Sequence, residues 1–377
     1  MTDPTPLTGP LDGVRIVDLS RLLPGPFCSW YLASLGAEVI RVESPDRPDY
    51  TRAVPPMVDG QSVFFAAVNR GKRSVALDMR HPEGLAALET LIAGADVVLE
   101  GFRPGTLAAS GLDPEALLER HPGLVIASIS GFGQTGALRD EPGHDLNYLG
   151  YAGFVAALRP GEGTDPLPLQ IADVAGGALT AALGIAAALF GRERSGRGRW
   201  LDISMTDGSL SLMTPMLAFA LGEGRDLLPG GEMLTGAVPA YRTYVCADGG
   251  LLCVGALEPK FLQRLNAQLA ERGIEPPQPT ASAMGALFAA RPRDEWVAML
   301  QDCCVSPALR ATELSAHPLH TSRDSFEDVL GVRLPKAPFR WATAPDLPPL
   351  GADTRAVLAP LGVDVDALIA AGAAKEG

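Results

Sequence analysis

Five histidines are spread over 377 residues, and one stands where acid–base chemistry could be done. His144 is followed directly by a carboxylate in the run Gly143-His144-Asp145-Leu146-Asn147-Tyr148. His81, His121 and His317 each precede proline, which assigns them to turns or helix starts, and His320 lies in an irregular stretch. An imidazole at a helix start sits beside free backbone N–H groups, a place that suits a proton carrier and a developing negative oxygen together. The plainer account makes Asp145 the N-cap of a helix running through Leu158 and leaves His144 as a loop residue. Asp173 precedes an apolar run free of charge, Val174 to Phe190. It is either a cap or a carboxylate at a dry helix terminus, able to act as base or nucleophile. Glu258, in Gly255-Ala256-Leu257-Glu258-Pro259, lies between a strand and a helix, where a helix-start glutamate is common. No His-x-x-x-His or Cys-x-x-Cys spacing occurs, so no metal site is expected.

Basic side chains gather in Asn69-Arg70-Gly71-Lys72-Arg73-Ser74, and Arg41 and Arg103 follow or lie near strand-like segments. Such groups beside strand ends suit phosphates, and a solvated charged face is the alternative.

These residues need elements to hold them. Val14 to Leu19 reads as a strand, Phe27 to Leu35 as a helix closed by Gly36, and Glu38 to Glu43 as a second strand: a βαβ unit. It lacks Gly-x-Gly-x-x-Gly, so a nicotinamide dinucleotide is not indicated. The alternation continues with strands at Ser74 to Asp78 and Asp96 to Glu100, and helices at Pro82 to Ala93 and Pro114 to Arg120. A strand at Leu124 to Ile129 then enters the Gly-rich loop Gly131 to Gly136 ahead of His144. The fold class expected is α/β, an open and mostly parallel sheet with helices on both faces. Val174 to Phe190 sits at the lower edge of membrane-spanning length, but Gly176, Gly177, Gly184 and its setting favour a core or interface helix. A hairpin pairs Tyr241 to Cys246 with Leu251 to Val254, and helices at Lys260 to Arg272 and Pro292 to Gln301 complete a smaller α+β domain. The division expected is a large domain over 1–205, a linker helix over 206–224, a small domain over 225–325, and a tail over 326–377 that returns to the large domain.

A net charge of −13 argues against a nucleic-acid or membrane-surface binder. Five cysteines without ligand spacing suggest no secreted disulfide frame. The first residues show no signal-peptide pattern, so cytoplasm is the expected compartment.

Taken in order, several segments resemble the class III CoA-transferase family (CaiB/BaiF type), in its α-methylacyl-CoA racemase branch. They are Pro24-Gly25-Pro26-Phe27-Cys28, Leu35 to Glu43, Asn69 to Ser74, Gly131 to Gly136, Gly143 to Tyr148, Asp173 and Val254 to Pro259. The resemblance implies an acyl-CoA enzyme with a Rossmann-like large domain and a smaller one, built as an interlocked homodimer. Its active sites would lie between the large domain of one subunit and the small domain of the other. No separate cofactor is implied, because the substrate carries the coenzyme A. Racemase members combine a His-Asp pair, an aspartate and a small-domain glutamate, here His144, Asp145, Asp173 and Glu258. Inverting a 2-methylacyl thioester requires a base on each face of the α-carbon. His144 is assigned to one face and Asp173 to the other, with Glu258 fixing the imidazole tautomer and the Asp145 N–H stabilising the enolate oxygen. Arg41, Arg70, Lys72, Arg73 and Arg103 would meet the CoA phosphates, with Leu77, Asp78, Gly143 and Tyr148 as further binding positions. Ser44 stands where racemases of the family commonly carry arginine, a departure at the adenine end. The alternative is a CoA-transferase with Asp173 as nucleophile, although Pro229-Gly230-Gly231-Glu232 is not the glycine run that transferase members often carry.

Overall fold

A computed structural model describes residues 9–158, 169–339, 341 and 347–377. The chain divides into two compact units, one of Met1–Ala152, Pro166–Leu212 and Ser322–Gly377, the other of Gly153–Asp165 and Met213–Thr321.

The first unit is organised by a sheet whose strands are short β-branched runs. They are β1 (Arg15–Asp18), β2 (Glu38–Glu43), β3 (Arg73–Leu77), β4 (Val97–Glu100), β5 (Val125–Ser130) and β6 (Trp200–Ser204). Their spatial order is 3-2-1-4-5-6, every pairing parallel, and Ala374–Lys375 adds an antiparallel edge beside β3. Ile16, Val17, Val97, Val98, Leu99, Val125, Ile126 and Ala127 are fully buried, as expected where helices cover both faces. The chain reverses direction across the sheet between β1 and β4. In such sheets a crevice opens at that switch, beyond the carboxyl ends of the strands.

Helix α1 (Pro24–Ser34) leaves β1 with proline in its first turn, where a missing N–H costs nothing. Helices α2 (Pro82–Ala93) and α3 (Pro114–Arg120) start the same way. Two expected helices are broken. The one entering at His144 ends as α4 (Asp145–Tyr151), because Gly153 turns the chain at φ +77° before Phe154–Leu158. The expected linker helix is likewise two pieces, Met205–Leu212 in the first unit and Thr214–Gly222 in the second, with Pro215 opening the latter.

The apolar run forms one long helix, Ala172–Ser195, whose first part, Ala172–Leu179, is wound in wide π-helical turns. By length and composition it could cross a membrane, yet Ala181, Ile185, Ala188 and Leu189 turn inward and the helix packs on α1, β5, β6 and Met205–Leu212. Its approach to Met205–Leu212 is possible only with glycine. A methyl group at Gly208 would lie 2.0 Å from the carbonyl oxygen of Gly176.

In the second unit, β7 (Tyr241–Val245), β8 (Leu251–Gly255) and β9 (Val305–Ala308) form an antiparallel sheet in the order 9-8-7. Leu252, Val254, Leu265, Leu269, Phe288 and Trp296 make its core. Helices Pro259–Ala270, Ala281–Phe288 and Arg293–Met299 supply the helical side, the middle one not anticipated from the sequence.

Gly208→Ala is expected to cost about 1–3 kcal/mol through overpacking and lower the melting temperature by several degrees. Gly191→Ala lies in the same long helix with open space around it and should be neutral or slightly stabilising. Thermal melts of the two variants beside the parent protein check this.

Candidate active site

The loops that leave β1, β4 and β5 enclose a cleft of about 330 Å³. Arg21 and Leu22 come from the first loop and Gly25 from the start of α1, Gly101 to Pro104 from the second loop, and Gly131 and Phe132 from the third. Arg139 to His144, Tyr148, Asp173 and Met205 complete the wall. The cleft therefore stands at the switch in strand order, where the fold leaves an opening.

His144 reaches it from the N-cap position of α4, with extended backbone (φ −131°, ψ 175°) and an exposed side chain. Its own N–H donates to Asn147 Oδ1 at 3.0 Å, which closes the helix start from the far side. Asp145 is consequently not the cap expected from the sequence. It is the first helical residue, and its carboxylate turns to another helix, accepting the backbone N–H of Asp173 at 2.9 Å and that of Ala172. Nor does Asp173 cap its helix. Ile171 holds that position, and Asp173 lies inside the first wide turn, half-buried. Wide turns of this kind leave backbone groups less regularly paired and often accompany functional sites.

The two carboxylates set the electrostatics. Burial, and then the charge of Asp145, push the Asp173 carboxyl up to about 7. Burial also raises Asp145, but the two N–H groups it accepts favour its ionised form and hold the rise down. The proton of the pair therefore sits on Asp173. Tyr148 closes the floor: its hydroxyl donates to the Gly143 carbonyl, and burial with the Asp173 charge pushes it up to about 12, against the pull of Arg103. Its ring meets Phe132 edge-on at 5.2 Å. It fits between two glycines, since a methyl group at Gly131 or Gly143 would lie 2.3 or 2.6 Å from the ring.

A second cavity of about 280 Å³ adjoins the first, sharing Arg21 and Phe102 with it. It is lined by Leu77, Asp78, Met79 and Arg80 after β3, by Ser44, Arg47 and Asp49 after β2, and by Thr106 and Ser110. The Ser44 hydroxyl is buried there with no hydrogen-bond partner.

The structure thus brings His144, Asp173, Gly143, Tyr148 and Arg103 to one cleft, and Leu77 and Asp78 to the next. Glu258 stands exposed at the start of Pro259–Ala270 in the second unit. Four expected phosphate ligands are corrected. Arg41 lies within β2, 1 % exposed, paired with Asp49 at 2.6 Å and Glu43 at 3.3 Å. Lys72 is buried against Asp18, the Pro26 carbonyl and Asn69, and burial pushes it down to about 7. Arg70 stacks on Trp30 and binds Glu327 and the Pro335 carbonyl. Arg73 opens β3 at the end of the sheet away from the cleft, held by Glu38. Moving Arg41 or Lys72 to a phosphate would strand a buried carboxylate. Besides Arg103, the arginines that line the cavities are Arg21, Arg47, Arg80 and Arg139, none of which residue type alone singles out. Their signal was position: each falls in a connection just beyond a strand, three of them within four residues of its carboxyl end.

A test of this electrostatic picture needs no substrate. In the folded chain Asp173 keeps its proton up to about pH 7, whereas an unfolded aspartate loses it near about 3.9. The folded state binds more protons across that window, so its stability falls as pH rises through it and levels off above. Asp173→Asn removes the penalty. Its melting temperature should exceed that of the parent at pH 8, and the gap should close below pH 4.

Known proteins with similar sequences or folds bear on this arrangement. The chain is 38 % identical over 333 residues to the alpha-methylacyl-CoA racemase of Mus musculus, covering 84 % of this chain and 82 % of that one. It is 39 % identical over 217 residues to the acetyl-CoA:oxalate CoA-transferase of Acetobacter aceti, covering 56 % of each. The crystal structure of a CAIB/BAIF family protein from Brucella suis superposes with a TM-score of 0.82 at 29 % identity, covering 94 % of this chain and 99 % of that one. The family model for CoA-transferase family III matches residues 11–354, and the chain belongs to that family.

Proposed function

We propose that this protein racemises 2-methyl-branched acyl-CoA thioesters by moving the α-proton from one face of the carbon to the other. The observation that carries the reading is the opening of His144 and Asp173 into one cleft, with Asp173 holding a proton near neutral pH. The similarity to alpha-methylacyl-CoA racemases supports it. In one direction the neutral His144 imidazole takes the α-proton, and the C–H electron pair moves into an enolate whose oxygen accepts from the Asp145 N–H. Asp173 then gives its proton to the opposite face. The enzyme is left with an imidazolium and a carboxylate, the starting state for the reverse direction. Both carriers exchange with water between turnovers, so solvent hydrogen enters the product.

Losing an oxyanion donor of this kind costs roughly 3–4 kcal/mol in other enzymes. Glu258 is assigned to orient the imidazole, within a homodimer. The thioester occupies the His144 cleft, and the nucleotide end of CoA extends into the neighbouring cavity, where Arg47 and Arg80 meet its phosphates.

A CoA-transferase using Asp173 as nucleophile is the second reading, favoured by transferase relatives such as that of Acetobacter aceti. Incubating a single enantiomer of a 2-methylacyl-CoA in D₂O, with and without an acceptor acid, separates the two. Racemisation with one α-deuterium and no need of acceptor is expected, and His144→Ala and Asp173→Ala should each lower the rate at least 100-fold. Acceptor-dependent transfer, trapping of Asp173 by hydroxylamine and indifference to His144→Ala would establish the transferase instead.

A further inference from the structure

Racemisation through two unlike groups sets a condition that a one-base enzyme escapes. The imidazole and the carboxyl must each be available both with and without a proton near the working pH, so that either face of the carbon can be served. Free imidazole titrates near about 6.5 and a free aspartate near about 3.9. Something in the cleft must close that gap, and must also keep the two groups at a fixed separation.

One side chain touches both requirements. Asp145 follows His144 in the chain and opens α4. Its carboxylate reaches across to the start of Ala172–Ser195, accepting the N–H groups of Asp173 and Ala172. We propose that Asp145 acts through its side chain as a positioning residue, tying the first turn of the Asp173 helix to the residue beside His144 and setting the two acid–base groups in register. This role is separate from that of the Asp145 backbone and rests on the racemase reading above.

The tie has two effects that substitution can separate. The hydrogen bonds fix where the Asp173 backbone, and hence its carboxyl, stands in the cleft. The negative charge keeps the proton on Asp173, since two neighbouring carboxylates in a half-buried site cannot both ionise freely. Around Asp173, His144, Asp145 and Tyr148 belong to the α4 segment, Arg103 to the loop after β4, and Arg21, Arg139, Asp140 and Glu141 line other parts of the same cleft. Of the elements packed on its helix, α1 contributes no Asp, Glu, Lys, Arg or His. Met205–Leu212 and β6 contribute one carboxylate each, Asp207 and Asp202, and β5 none. Asp145 is the charge that raises Asp173.

Asp145→Asn keeps a side-chain oxygen for the Asp173 N–H and removes the charge, and Asp145→Ala removes both. The full-length variants are compared by kcat, KM and their pH profiles for α-deuterium exchange. The Asp173 carboxyl is followed in parallel by ¹³C NMR titration, which needs no turnover. The Asn variant should keep KM within about threefold and shift both the Asp173 titration and the corresponding limb of the profile down by at least about one unit. The Ala variant should lose about 100-fold in kcat through misplacement, with Asn recovering at least about tenfold of it. An Asp173 titration that stays put in Asp145→Asn overturns the proposal, as does an Ala variant whose loss lies in KM alone. A parent protein that exchanges no deuterium overturns the racemase reading, and the titration then still decides whether Asp145 governs Asp173.

Discussion

Asp173 lines the cleft and the Asp145 carboxylate holds its backbone, and the rest of the first unit is arranged around the cost of keeping the two carboxylates half-buried. Asp173 enters on a helix whose first turns are wide and whose neighbours are small. Asp145 enters on a helix seven residues long, held by the Gly143 carbonyl below and Asn147 behind. The 2.9 Å hydrogen bond from the Asp173 backbone N–H to the Asp145 carboxylate lets the pair survive burial, because it stabilises one ionised member while the other stays protonated. The cleft has the acid–base character it has because neither carboxylate is free to swing into water.

A second buried charge cluster frames the opening without entering it. Asp18 at the end of β1 is enclosed, yet its pKa is lowered: burial works to raise it, and Lys72, Arg41, Ser20 and Ser29 overcome that. Arg41 in turn holds Glu43 and Asp49, and Arg52 holds Glu43 at 2.6 Å. This network pins the connection after β2, which brings Ser44, Arg47 and Asp49 to the neighbouring cavity. Its charges brace the walls of that cavity, whereas the arginines in the connections beyond the strands hold only exposed or nearby partners, Arg80 with Asp78 and Arg139 with Asp140.

That distinction explains what could be seen in the sequence. Glu38–Glu43, Pro82–Ala93 and Pro114–Arg120 are legible because proline starts, apolar periodicity and flanking turns agree there. His144 and Asp173 stand out by scarcity and by their neighbours, independently of any contact. Residue type alone misleads for Arg41 and Arg73. One lies inside a strand with its side chain between layers, and the other at the wrong end of a parallel strand, where no crevice forms. Asp145 is misleading for another reason. Aspartate at a helix start normally caps that helix, and only the approach of a second helix redirects its carboxylate. Such long-range competition between partners leaves no mark on local sequence, and neither does the break at Gly153, which turns an apparently continuous helix.

Why the Asp173 helix should be so apolar follows from the same geometry. A protonated carboxyl near neutral pH requires that water be thin around it, and its helix is therefore walled by Ala172, Gly176, Gly177 and Ala178 on the inner side. Small residues let Met205–Leu212 approach to backbone contact, which excludes water better than long side chains that leave gaps. Further along, where no charge needs shielding, Leu183 and Phe190 turn outward, 72 % and 61 % exposed. On the inner side burial continues along the helix through Ala181, Ile185, Ala188 and Leu189. The closest packing along the run is at Gly176 and Gly177, directly after the titrating group, where Met205–Leu212 comes to backbone contact.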